Sequence, residues 1–72
     1  MRSSQVEAIR RVYPKGTRIR MIYMEDPRPI ESGTLGTVDH VDDSGTIHVN
    51  WDNGRSLGLI PNEDEFAIVK ED

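Results

Sequence analysis

No cysteine occurs anywhere in the 72 residues, which excludes disulfides and thiolate-bound metals at once. That absence fits a reducing compartment. No apolar run approaches the roughly 18 residues needed to cross a bilayer. Met1-Arg2-Ser3-Ser4-Gln5 leads into no apolar block, so a secretory signal is not expected either. The expectation is a soluble, cytoplasmic protein. Aromatic residues are also scarce, with one Trp, one Phe and two Tyr, so each ring serves either a thin core or a partner. Chains under about 80 residues gain only a few kcal/mol from burial, and one domain is all this length allows.

What charge there is falls unevenly. Residues 1–20 carry Arg2, Arg10, Arg11, Lys15, Arg18 and Arg20 against Glu7 alone, while residues 21–72 carry three basic residues against twelve carboxylates. Two readings follow. In one, the basic start and the acidic remainder attract each other within the chain. In the other, the six basic residues form a patch for nucleic acid or an acidic partner. An acidic body opposes phosphate binding unless the two charges are well separated, so the first reading leads.

The pattern along the chain is mostly β. Ser4 through Val12 is the exception. Ser4 and Glu7 have capping-box spacing, and Val6, Ile9 and Tyr13 form one apolar stripe ahead of Pro14. In Thr17–Met24, Ile19, Met21 and Tyr23 alternate with Arg18, Arg20 and Ile22, the period of a half-buried strand. Glu25 to Ser32 holds two prolines and no periodicity, so it is a loop, long for so small a domain. Thr34–Val38 is a strand with a glycine kink at Gly36, and Asp39–Gly45 reads as a turn. Ile47, Val49 and Trp51 then share one face, and Asn53-Gly54 suits a type I′ hairpin turn in which both residues are left-handed. Ser56–Ile60 returns, Pro61–Glu65 breaks the pattern, and Phe66–Val69 closes the chain. Five short strands with glycines at the bends predict a small five-stranded SH3-like barrel over residues 14–72, behind a short helical segment at 1–13.

These segments also carry a resemblance. Tyr-Pro-Lys-Gly-Thr-Arg (Tyr13 to Arg18), Gly-Thr-x-Gly-Thr-Val (Gly33 to Val38), Gly-Thr-Ile-His-Val-x-Trp-Asp-Asn-Gly (Gly45 to Gly54) and Leu-Gly-Leu-Ile-Pro (Leu57 to Pro61) stand in order. The chain resembles, over roughly residues 13 to 70, an uncharacterised domain-of-unknown-function family of bacteria, phages and mobile elements. More loosely it is similar to Mib/Herc2-type SH3-like barrels. That resemblance implies a recognition module for peptides or proteins, with no catalytic residues to carry over.

No constellation argues for chemistry. His40 and His48 are the only histidines; with Asp39, Asp42 and Asp43 they lack the spacing of an EF-hand loop and the three or four convergent ligands of a zinc site. No serine has the Gly-x-Ser-x-Gly setting, and Gly33-Thr34-Leu35-Gly36 has no phosphate-loop lysine. Neither an enzyme, a metal nor a cofactor is expected. Trp51 has two readings, core or exposed anchor. In the second, Tyr23, Pro27, Arg28, Trp51 and Asp52 line one groove for a protein or peptide. The alternative function is nucleic-acid binding through the basic start.

Overall fold

The computed structural model describes residues 2–70; Met1, Glu71 and Asp72, which the expected 1–13 and 14–72 segments include, lie outside the described residues. One helix, α1 (Ser3–Val12), precedes five strands: β1 (Arg18–Tyr23), β2 (Leu35–Val41), β3 (Ile47–Trp51), β4 (Ser56–Leu59) and β5 (Glu65–Ile68). They form a single sheet in the order β4-β3-β2-β1-β5, with every neighbouring pair antiparallel. The class is mostly β, as the alternation predicts. The sheet is not closed, and β4 and β5 stand at its two edges.

α1 begins one residue earlier than the Ser4–Glu7 spacing suggests. Arg2 is the residue before the first turn, and the Gln5 side chain accepts its backbone N–H at 3.0 Å. The reciprocal carboxylate is therefore replaced by an amide, three residues on. The apolar stripe holds: Val6 is buried, Ile9 and Tyr13 are half-buried, and the Tyr13 ring meets Phe66 at 5.5 Å. A helix of ten residues is marginal in isolation, so this docking keeps it formed.

Two strands depart from strict alternation, each through a bulge. In β1 the register shifts between Met21 and Tyr23, so Tyr23 turns outward, opposite Glu65, and Met24 goes into the core in its place. In β2 the register shifts between Val38 and His40, which lets Val38 and Val41 both face inward. β2 therefore runs through Val41, and only residues 42–45 turn, not the whole of Asp39–Gly45. An extra residue on one strand carries the following side chains to the opposite face, which is why the period-2 reading fails after each bulge.

The β3–β4 connection is also different from the expected one. Gly54 has φ +89°, but no other type of residue in the described chain has positive φ, so Asn53 is not left-handed and the turn is not type I′. Trp51 pairs with Arg55 by an N–H···O bond of 2.8 Å, leaving a three-residue loop closed by the left-handed Gly54.

Ile19, Met21, Ile30, Val38, Ile47, Val49, Trp51 and Leu59 make the centre of the core. Trp51 decides its shape. A Cβ at Gly36 would lie 2.6 Å from the Trp51 ring and from Val49, so only glycine lets β2 pass across the indole.

Candidate functional site

The structure separates the residues of the expected groove. Trp51 is 3% exposed and its indole N–H donates to the Leu57 carbonyl at 3.1 Å, so it belongs to the core and lines no exposed surface. A core this small has few large side chains, and the only tryptophan is used to fill it. Tyr23 is 56% exposed at the end of β1. Pro27 and Arg28 are exposed in the loop between β1 and β2, where the Asp26 carboxylate accepts the Arg28 N–H at 2.9 Å. Asp52 is exposed in the β3–β4 turn, paired by two hydrogen bonds with Arg18 at 3.0 and 2.7 Å. The guanidinium holds the Asp52 carboxyl below the usual carboxylate range.

Arg55, which sequence reasoning did not single out, brings part of this set together. Its guanidinium donates to the carbonyls of Pro29 at 3.1 Å and Arg28 at 2.8 Å, fastening the loop onto the β3–β4 turn. Two buried side chains, Met24 and Ile30, pin the loop to the core, and the Ser32 hydroxyl donates to the Ile22 carbonyl. The segment is long but held at several points along its length. Arg28 and the Asp52–Arg55 turn thus share one side of the molecule, with Tyr23 at the root of the same loop.

The basic residues of the chain start are dispersed. Arg10 donates to the Val41 carbonyl at 3.1 Å and to Asp43 at 2.8 Å; Arg18 takes Asp52 and Thr37. Two of the six cations are thereby engaged with the acidic part of the chain. Arg2, Arg11, Lys15 and Arg20 are exposed, but they stand on α1 and the residue that caps it, on the turn after it and on β1.

A second polar arrangement lies on the outer face of β2, β3 and β4. The β2 bulge sets His40 directly opposite His48, and the two rings stack at 4.4 Å with only 8° between their planes. Each has a carboxylate: Asp39 lies 2.6 Å from His40 Nδ1, and Asp42 lies 2.8 Å from His48 Nε2. These bonds are the main reason that both aspartates have lowered pKa values, with Ser44 and Thr46 N–H groups adding to the effect at Asp42. A shallow hollow of about 210 Å³ opens beside the rings, bordered by Asn50, Ser56 and Gly58. Ser56 donates to the Asn50 side chain at 3.1 Å. Among the described residues no group of three or more His, Cys, Asp or Glu side chains converges as metal ligands would. The sequence did contain a signal for this pair. Val38 and Val41 are three apart, and two inward apolar residues at that spacing in a strand require a bulge between them.

The chain belongs to the family described as Domain of unknown function (DUF4314), which it matches over residues 2–69. The match takes in α1, ahead of the Tyr13 from which the resemblance runs. No curated protein and no solved structure matches the chain.

Proposed function

We propose that this domain is a non-catalytic binding module that holds a protein or peptide partner, in a bacterial cytoplasm and beside phage or mobile-element proteins. The sheet order β4-β3-β2-β1-β5, with its bulged, short strands, supports the finer reading of an SH3-like barrel left open between β4 and β5. The observation that carries the functional reading is the fastened loop of residues 24–34. Eleven residues of irregular backbone are held by Arg55, Met24, Ile30 and Ser32, and this ordered segment displays Pro27 and Arg28 in the loop that leaves β1 after the exposed Tyr23. Irregular segments ordered in advance bind more tightly because less freedom is lost on association. The partner-facing residues are Tyr23, Pro27, Arg28 and Asp52, without Trp51.

Nucleic-acid binding has less in its favour. Arg10 and Arg18 are spent on Asp43 and Asp52, and the remaining cations are spread over three segments. Chemical-shift mapping with a partner captured from the native host separates the two readings. The expected shifts fall on Tyr23, residues 25–31 and the 52–55 turn. Shifts confined to Arg2, Arg11, Lys15 and Arg20, with affinity for duplex DNA falling at a log–log salt slope near −0.9 per phosphate, would overturn the proposal.

A further inference from the structure

Among the described residues β5 is an open edge of the sheet with no buried side chain of its own. Among Glu65, Phe66, Ala67 and Ile68, none is fully buried. Ile68 lies opposite Ile19, a residue of the core centre, and so faces the core side, yet it is 43% exposed. Among the described residues no strand covers its flank away from β1. The opposite edge differs: β4 ends in Leu59, which is wholly buried. An edge strand carries a row of backbone N–H and C=O groups free to pair with another chain, and its neighbour's side chains then alternate between the two faces.

We propose that the β5 edge accepts an extended segment of a partner protein by strand addition, and that this segment alternates apolar with basic residues. This rests on the binding-module reading and adds to it a line of backbone contact. The apolar half of the assignment comes from Ile68 and the half-buried Phe66, which leave the core side of the edge incompletely covered. The basic half comes from charge. Glu65 faces outward next to Tyr23, and Glu63 and Asp64 precede it in the β4–β5 turn, so acidic charge gathers at the 63–65 end of the edge, while Arg20, opposite Ala67, and Lys70 make the other end basic. A lysine or arginine on the outer face meets Glu65 directly and has the Tyr23 ring beyond it for a cation–π contact. A second copy of this chain is the less suitable occupant, because each copy carries net charge −4 and the two would repel.

The test uses the full chain and two synthetic eight-residue peptides, (Lys-Val)4 and (Glu-Val)4, followed by amide chemical shifts and hydrogen exchange. Saturable binding of (Lys-Val)4 is expected, with shifts on Glu65–Ile68 and Tyr23 and at least tenfold slower exchange of the outward β5 amides. Glu65→Lys should weaken it at least tenfold. Ile68→Ser, also at an exposed position, should weaken (Lys-Val)4 binding and leave the fold intact by far-UV spectrum. Absence of saturable (Lys-Val)4 binding, equal binding of (Glu-Val)4, or shifts on the His40–His48 face overturns the assignment. So does a concentration-dependent dimer through β5 without peptide. Where peptide binds at residues 25–31 and leaves β5 unmoved, the edge assignment falls and the module reading stands. Where neither peptide binds and DNA does, both fall.

Discussion

β4 and β5 are each four residues long, and each pairs with one neighbour only. Their inner faces nevertheless have different fates. On the β4 side, Ile47, Val49 and Trp51 lie behind the strand, all nearly inaccessible, and Leu59 closes the edge. The Trp51 indole even reaches the β4 backbone, donating to the Leu57 carbonyl. On the β5 side the backing is Ile19 and Met21, with the Tyr13 ring against Phe66, and Ile68 stays open. Strand length and pairing are equal, so what finishes an edge is the bulk of the side chains behind it. The single tryptophan serves one edge and leaves the other without an equivalent.

The widest separation between the two edges is expected from truncating each one's inward residue. Leu59→Ala removes a fully buried side chain and should cost about 3 kcal/mol, a large share of the stability of so small a domain. Ile68→Ala should cost less than about 1 kcal/mol, because much of that side chain already meets water. Urea unfolding measures both, read as a shift in midpoint at unchanged slope. Equal losses would break the comparison and mean that β5 is better covered than its exposure indicates.

A smaller cost is expected at the hairpin that ties β3 to the finished edge. Gly54 is held at φ +89°, where a β-branched side chain is strained, so Gly54→Val should destabilise by about 1–2 kcal/mol. Asn53→Ala should cost far less, since Asn53 keeps negative φ and its side-chain Oδ1 accepts one hydrogen bond, from the Arg55 N–H at 3.0 Å. Comparable losses at the two positions would restore the two-residue turn that the Asn-Gly pair suggests.

That turn illustrates where the sequence is legible. The helix stripe at Val6, Ile9 and Tyr13 and the five strands follow from period and residue type; Gly36 reads as a kink, whereas what demands glycine there is the close approach of Trp51 and Val49. What periodicity misses are the positions where one extra residue enters a strand. Strict alternation puts Tyr23 on the face of Ile19 and Met21, and the bulge turns it out; a turn over Asp39–Gly45 takes in His40, which stands instead on β2 opposite His48. In both cases two apolar residues three apart, Met21 with Met24 and Val38 with Val41, mark the bulge. The candidate site was less legible still. Arg55 carries no motif, and its role depends on two backbone carbonyls some 26 residues away in sequence, which only the folded chain brings within reach.

Acid should act on the better-finished half. The Asp52 carboxyl is held low chiefly by its hydrogen bonds from Arg18, and Asp42 chiefly by the bond to His48. A carboxyl whose pKa is lower in the folded chain stabilises it above the unfolded value, near 3.8, and that contribution disappears as pH falls through the folded value. Urea midpoints taken between about pH 5 and pH 3 should therefore drop, and Asp52→Asn should be less stable than the wild type at the upper end and converge with it at the lower. Both groups are exposed and screened, so the gap is small. A gap that stays constant with pH would mean that Asp52 acts by packing or turn geometry, not by its charge.

The smallest global effect and the most local one is expected at Arg55. Removing its guanidinium leaves the Arg28 and Pro29 carbonyls to water, which is available at that exposed site, so Arg55→Ala should change overall stability by less than about 1 kcal/mol. The change belongs instead to the loop. Met24 and Ile30 still anchor the first half of the loop in the core, so the freedom gained is confined to residues 25–29 between them. Amide exchange there should speed up severalfold, while amides of β3 and β4 keep their rates. Arg55→Lys should fall between the two, because a compact ammonium does not span two carbonyls as the planar fork does. If β5 amides accelerate as much as the loop, Arg55 supports the open edge as well, and the two halves of the sheet are coupled through this one side chain. If only the loop responds while partner affinity drops, the loop's order, and not the sheet beneath it, is what the partner requires.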